Sequence, residues 1–368
     1  LSWGVLIAAS IPVGWWACTV AARNMGVLDP GSIVWDEIVP FWLVLLMTPA
    51  GFLWQATAFA LFRLFDVWKP WPIGWADDTV NPTSGCGGCE LHNQDIGMFS
   101  CFAGNQHEGR LAHTLPALYA PDFRTVRLIP GRMAKAVRAS DLTGLPRLAT
   151  KDGPAKPWLD GLPRLIFVGD MADIFSDEVP FDYLHDEVMS HALTVHGRRH
   201  RHLWLTKRPW RAVEFADWLR TVKGLDWPAN VWMGTSLTTQ GTVKRAEILA
   251  RHPAPMKYLS CEPMLEAIRI PREILGAFGW NIIGGESDQR KHTARPCDVR
   301  WIGDMIRQDM ASGVPTFVKQ LGSAPVGLGD GWPAGPLSEG GKPRDSHGGD
   351  WDEWHPSLRI RERPRVAA

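Results

Sequence analysis

Between residues 165 and 320, six short runs of apolar residues recur, each ending in polar or charged side chains. Leu165-Ile166-Phe167-Val168 leads into Gly169-Asp170-Met171-Ala172-Asp173, and Leu203-Trp204-Leu205 into Thr206-Lys207-Arg208-Pro209. Val231-Trp232-Met233 is followed by Gly234-Thr235-Ser236, and Tyr258-Leu259-Ser260 by Cys261-Glu262-Pro263. Trp280-Asn281-Ile282-Ile283 runs into Gly284-Gly285-Glu286-Ser287, and Thr316-Phe317-Val318 into Lys319-Gln320. Continuous apolar runs suit strands buried on both faces of a parallel sheet, and the helical stretches between them make βα units. In barrels and open α/β sheets the carboxyl ends of the strands are where ligands bind. The pattern predicts an α/β fold, a partial (β/α) barrel. It places Asp170, Asp173, Lys207, Arg208, Glu262, Glu286 and Lys319 around one cavity, with Gly284, Gly285, Thr235 and Ser236 as cofactor contacts. Carboxylates there suit ribose hydroxyls or an amino group, whereas Lys207 and Arg208 suit a carboxylate or phosphate.

Three of the six cysteines fall close together ahead of these units, as Cys86, Cys89 and Cys101, in the spacing C-x2-C-x11-C. Six cysteines are too few to staple a chain of 368 residues, so a metal site is the expected use of the cluster. Three thiolates can hold three irons of a [4Fe–4S] cluster and leave the fourth iron open. With His92 or His107 they could instead close a tetrahedral zinc site. Cys261, at a strand end, is a further candidate ligand.

The first 74 residues are of another kind. Trp3 to Ala22 and Trp42 to Phe62 carry no charged side chain, and each is about the length of a helix that spans a bilayer. Tryptophans sit near the ends of these runs, where interfacial anchors belong. The runs predict two transmembrane-type helices. Beside them lie Asp36, Glu37, Arg63, Asp66 and Lys69, charges that are costly next to a membrane without a role. Carboxylates suit Mg²⁺, and the cations suit phosphate.

Asp29-Pro30-Gly31-Ser32-Ile33-Val34-Trp35-Asp36-Glu37-Ile38-Val39 and Phe62-Arg63-Leu64-Phe65-Asp66-Val67-Trp68-Lys69-Pro70-Trp71-Pro72-Ile73 closely resemble the middle of phosphatidylglycerophosphatase A. The resemblance implies a Mg²⁺-dependent membrane lipid phosphatase, with Asp36, Glu37, Arg63, Asp66 and Lys69 in its motifs. It covers residues 1–74 only. The family's earlier glycine-rich motif and its later double-aspartate motif are missing, so half of the implied active site is absent.

A second resemblance covers residues 75–322. TVNPTSGC, CFAG, RLIFVGDMADIFSDEVP, LWLTKRP, VWMGTS, LSCEPML, IIGGES and VPTFVKQLG follow one another in order. Together they resemble a phage-associated family of three-cysteine proteins without an assigned function, itself similar to radical S-adenosylmethionine enzymes. That similarity implies a radical-SAM-like barrel in which the open iron binds S-adenosylmethionine. The family usually has its close cysteine pair last and a Tyr after the final cysteine. Here the pair comes first and Phe102 follows Cys101, so the ligand spacing departs from that of the family.

Lys plus Arg and Asp plus Glu both total 39, which excludes a strongly basic nucleic-acid-binding protein. The substrate, a small molecule or a nucleic acid, is left open. Residues 323–368 are rich in Gly and Pro and end in Arg359-Ile360-Arg361-Glu362-Arg363-Pro364-Arg365, which reads as a solvated tail. The expected organisation is therefore a membrane segment over 1–74, a three-cysteine barrel over 75–322 and a tail. The barrel would be cytoplasmic and tethered to a membrane, or simply cytoplasmic if the first segment is an artefactual fusion.

Overall fold

The six apolar runs become β1 (Leu165–Val168), β2 (Arg201–Thr206), β3 (Val231–Ser236), β4 (Lys257–Cys261), β5 (Trp280–Gly284) and β6 (Thr316–Gln320). Each strand pairs in parallel with the one before it, so spatial order equals chain order. Such sequential winding, with helices crossing between neighbours, is the arrangement of a curled half-barrel. The computed structural model describes residues 98–148, 155–289 and 292–364, together with residues 83–84, 86 and 89–93 and isolated positions before residue 59. The chain divides into two compact units, Leu1–Asp78 and Thr79–Ala368.

A helical segment over residues 181–192 follows β1, and four later helices pack on the same side: α1 (Pro209–Val222), α2 (Lys244–Leu249), α3 (Arg272–Leu275) and α4 (Val299–Ser312). Pro209 begins α1, where its missing N–H costs nothing, and Ala212, Phe215, Ala216 and Leu219 repeat at helical spacing to give one buried face. α4 is closed at both ends. The Asp298 carboxylate accepts from the Arg300 N–H at its start, and Gly313 takes the left-handed conformation, φ 70°, at its end.

The strands alternate between two apolar faces. Ile166, Val168, Trp204, Met233, Leu259, Ile283 and Val318 join the helix-side core. Leu203, Trp232, Tyr258, Trp280 and Phe317 form a second, aromatic-rich cluster. This two-sided burial explains why the runs read as continuously apolar. Gly234 and Tyr258 lie opposite one another across β3 and β4, and any Cβ at residue 234 would overlap the phenol ring. The Tyr258 hydroxyl donates to the Trp204 carbonyl at 3.2 Å.

The closing basic segment is not a solvated tail. Ile360 accepts from the Val318 N–H at 2.8 Å, Glu362 donates to the Thr316 carbonyl at 2.8 Å, and Arg361 bridges antiparallel to Phe317. The Arg361 guanidinium lies 4.6 Å from the Trp158 ring centre, and that of Arg363 lies 4.7 Å from Trp280 and 4.6 Å from Phe317. Aromatic faces attract guanidinium groups, and that attraction accounts for arginines lying against the sheet.

The first expected transmembrane run lies outside the described residues except for Ser10, as does more than half of the second, and Cys18, Asp36, Glu37, Arg63, Asp66 and Lys69 lie outside them altogether. Among the described residues, no helix is long and apolar enough to cross a membrane.

Candidate functional site

A cavity of about 320 Å³ opens at the carboxyl ends of β1, β2 and β3. One wall is the cysteine segment, which contributes Cys86, Cys89, Glu90 and Cys101. The opposite wall carries Asp170 and Asp173 after β1, then Thr206, Lys207 and Arg208 from the end of β2, and Ser236 from β3. Phe123, Phe167, Leu205 and the exposed Trp210 supply apolar surface.

Local hydrogen bonds set this arrangement. Asp173 accepts from the Thr206 hydroxyl at 2.7 Å, the Lys207 N–H at 2.9 Å and the Phe175 N–H at 3.0 Å, and Arg208 stands 3.4 Å away. Asp173 therefore locks the β1 turn to the β2 end. On the cysteine side, the Cys86 N–H donates to Phe123 at 2.7 Å. The N–H groups of Ser100 and Cys101 share the Leu91 carbonyl at 2.9 and 2.8 Å. Cys101 then starts the helical turn Phe102–Gln106, its carbonyl accepting from the Asn105 N–H at 3.0 Å.

The electrostatics follow from burial and crowding. Burial, with the nearby Asp173 and Cys89, pushes the Cys86 thiol up to about 11, and Arg208 pulls against that. Burial raises the Cys101 thiol as well. Desolvation opposes charge on Lys207, yet Cys89, Glu90, Cys101 and Asp173 together raise the ammonium above its ordinary value. Burial would also raise Glu90, but the Arg245 fork and Lys207 hold it down at about 2. The result is a cationic side chain set among thiols and carboxylates.

The expected single constellation is only partly assembled. Asp170, Asp173, Lys207, Arg208 and Ser236 line the cavity with all three clustered cysteines; Glu262, Glu286 and Lys319 do not. Lys319 Nζ instead lies 3.0 Å from Glu262 Oε1. Glu286 is buried and taken up by Arg295, which donates from Nη2 to Oε1 at 2.5 Å and from Nε to Oε2 at 2.8 Å. These groups sit at the ends of β4, β5 and β6, further round the sheet, where neighbouring charges already neutralise them. Thr235 is buried and donates to the Thr206 carbonyl at 2.8 Å, within the sheet. Gly284 leaves room for Glu262, since a Cβ there would come within 2.8 Å of Oε1, and a Cβ at Gly285 would overlap the Leu321 carbonyl. Close packing thus accounts for both glycines.

Of the other candidate ligands, Cys261 is enclosed in the helix-side core and does not line the cavity. His107 is buried, with Nε2 2.7 Å from the Ala120 carbonyl and its ring against Tyr119 and Phe123. The side chain of His92 lies outside the described ones. Among the described residues, no three His, Cys, Asp or Glu side chains are gathered as tightly as one metal ion requires. Glu90 and Arg245 are the site residues that the sequence pattern missed. Glu90 directly follows Cys89, a signal that could have been used. Arg245 lies inside a helix with nothing to mark it.

Residues 71–347, well over half of the chain, match the family described as "Protein of unknown function (DUF5131)". The chain belongs to the DUF5131 family. All three cysteines and the whole six-stranded sheet lie within the DUF5131 match. Residues 1–87 match the family described as phosphatidylglycerophosphatase A. The phosphatidylglycerophosphatase A of Escherichia coli is 41% identical over 80 residues, covering 22% of this chain and 46% of that protein. Its Haemophilus influenzae counterpart is 43% identical over 77 residues, covering 21% of this chain and 47% of that protein. The chain thus spans less than half the length of these curated relatives. No solved structure matches it.

Proposed function

We propose that the DUF5131 unit is a metal-centre enzyme of radical-SAM-like type, with a cluster held by Cys86, Cys89 and Cys101. One observation carries this reading: the three thiols share a single cavity with Asp170, Asp173, Lys207 and Arg208 at the strand ends. The donor set suits a [4Fe–4S] cluster better than zinc. The irons of a cluster are spread apart, so its thiolates need not converge on one point as the ligands of a single ion must. When bound, an iron–sulfur cluster with an open iron supplies a coordination site for S-adenosylmethionine and the electron for its reductive cleavage.

The residues of the chain do the rest. Lys207 offsets the negative charge that the thiolates bring when they ligate a metal. Asp173 fixes the β1 turn and so sets where Asp170 stands, the carboxylate assigned to a ribose hydroxyl or amino group of the ligand. Arg208 suits a ligand carboxylate. Phe123, Phe167 and Leu205 keep water from part of the cavity wall. Purification without oxygen, followed by iron and sulfide analysis and a visible spectrum, tests the proposal. A brown protein with iron and sulfide is the expected result; a colourless protein carrying stoichiometric zinc would replace it with a zinc-bound recognition module.

The N-terminal identity to two phosphatidylglycerophosphatase A proteins favours a second reading, Mg²⁺-dependent hydrolysis of a membrane lipid phosphate through Asp36 and its neighbours. Residues 1–74 would then also tether the cytoplasmic DUF5131 unit to the membrane. We rank this reading lower, because the later aspartates that complete the metal site of that family are missing from this chain.

A further inference from the structure

We propose that Arg295 is a positioning residue that holds the Cys101 limb of the pocket through Ser100, with Glu286 as its anchor. The proposal rests on the pocket reading above. Arg295 spends Nε and Nη2 on Glu286, at 2.8 and 2.5 Å, and its own N–H reaches the same carboxylate at 2.8 Å. His292 adds a fourth contact at 3.2 Å. The carboxylate is buried, so the fork is fixed in direction. From that fixed fork, Nη2 also donates to the Ser100 hydroxyl at 3.0 Å.

Ser100 passes the constraint on. Its hydroxyl donates to the Leu91 carbonyl at 3.2 Å, the same oxygen that accepts the N–H groups of Ser100 and Cys101. One carbonyl two residues after Cys89 is thus tied to the residue just before Cys101, and both are tied to the loop after β5. Cys101 is held from behind by its helical turn and from in front by this relay. Glu286 was expected to orient cofactor or substrate. Its oxygens are committed to the relay instead, so its influence on the pocket runs through Arg295.

The test uses the full chain and reads each thiol separately. Metal-free protein is treated with iodoacetamide and the labelled cysteines are mapped by mass spectrometry. In Arg295→Met, Cys101 should label about tenfold faster than in the parent, the scale of one charge-assisted hydrogen bond, with Cys86 unchanged. Ser100→Ala, which leaves the Arg295–Glu286 pair intact, should reproduce the effect even if Arg295→Met folds poorly. An equal rise at all three cysteines, or none at Cys101, would overturn the proposal. Reconstitution with ferrous iron and sulfide supplies an independent readout: Ser100→Ala should change the electron paramagnetic resonance signal of the reduced cluster. A Cys101-selective rise in the two variants, found with a parent protein that takes up no iron, would support the relay while sinking the cluster reading.

Discussion

Arg245 grips Glu90 with both terminal nitrogens, Nη1 to Oε1 at 2.7 Å and Nη2 to Oε2 at 2.9 Å, across 155 residues of sequence. The Thr238 hydroxyl adds a third donor to Glu90 at 3.1 Å. This pair fastens the cysteine segment to the β3 end of the sheet. Removing the cation leaves a largely buried carboxylate without its partner. Arg245→Met should therefore lower stability by about 2–3 kcal/mol, and the double Arg245→Met, Glu90→Gln variant should recover part of it. Urea midpoints for the four proteins of the cycle measure this, and a coupling energy near zero would show that the pair does not hold the segment.

Changing Cys86, Cys89 or Cys101 to Ala should abolish iron uptake on anaerobic reconstitution. Cys261→Ala should leave iron content at the parent level while lowering stability, because Cys261 fills space in the helix-side core. Full iron content in the triple Cys86, Cys89, Cys101 variant would remove the basis of the assignment.

Asp309 gives the protein a distinctive response to pH. It is fully buried on α4, accepting from Asn281 Nδ2 at 3.0 Å and from the Thr316 hydroxyl at 2.9 Å, and burial raises its carboxyl to about 7. The folded state therefore keeps a proton that the unfolded chain has already lost above the ordinary carboxylate range near 4. That contribution is fully present below pH 4 and fades as pH rises toward 7. In Asp309→Asn, with the Asn281 amide turned over to meet it, the decline between pH 4 and 7 should be smaller than in the parent. Melting temperatures measured across that range decide the point; parallel curves for the two proteins would count against a protonated Asp309.

Gly234→Ala should destabilise the sheet by about 1–3 kcal/mol, because the added methyl group overlaps the Tyr258 ring. Tyr258→Leu in the same protein should restore part of the loss by vacating that space. If Gly234→Ala proves neutral on its own, β3 and β4 are not packed as described.

Purified protein in detergent, supplied with Mg²⁺ and phosphatidylglycerophosphate, should release no phosphate above an Asp36→Ala control. A carboxylate set short of ligands holds Mg²⁺ poorly, since that ion demands near-octahedral oxygen coordination. Strong release dependent on Asp36 would make the lipid phosphatase the activity of the chain.

The six strands were legible because each is buried on two sides, so its whole length is apolar and its polar end stands out. The cysteine cluster was legible from spacing, and Asp170, Asp173, Lys207 and Arg208 from their place at strand ends. Glu262, Glu286 and Lys319 follow the same pattern yet do not line the cavity. Sequence locates the end of a strand, but whether a charge there faces the pocket depends on which partner claims it first. Arg295 and Arg245 were invisible because their partners, Glu286 aside, come from distant segments that no local pattern connects. Arg361 and Arg363 were read as solvated because a run of arginines carries no sign that aromatic rings await it.

That last misreading bears on how the domain is made. Trp232, Tyr258 and Trp280 are synthesised well before Arg361 and Arg363, whose guanidinium groups lie against Trp158, Trp280 and Phe317 of the same aromatic face. A nascent chain that has completed β5 thus carries an aromatic surface that still lacks Phe317, Arg361 and Arg363, and β6 emerges with a bare edge until residues 360–362 arrive. Ribosomes add about 5–20 residues per second, so this surface stays open for seconds on every molecule made. It is during that interval that the chain is most prone to stick to its neighbours.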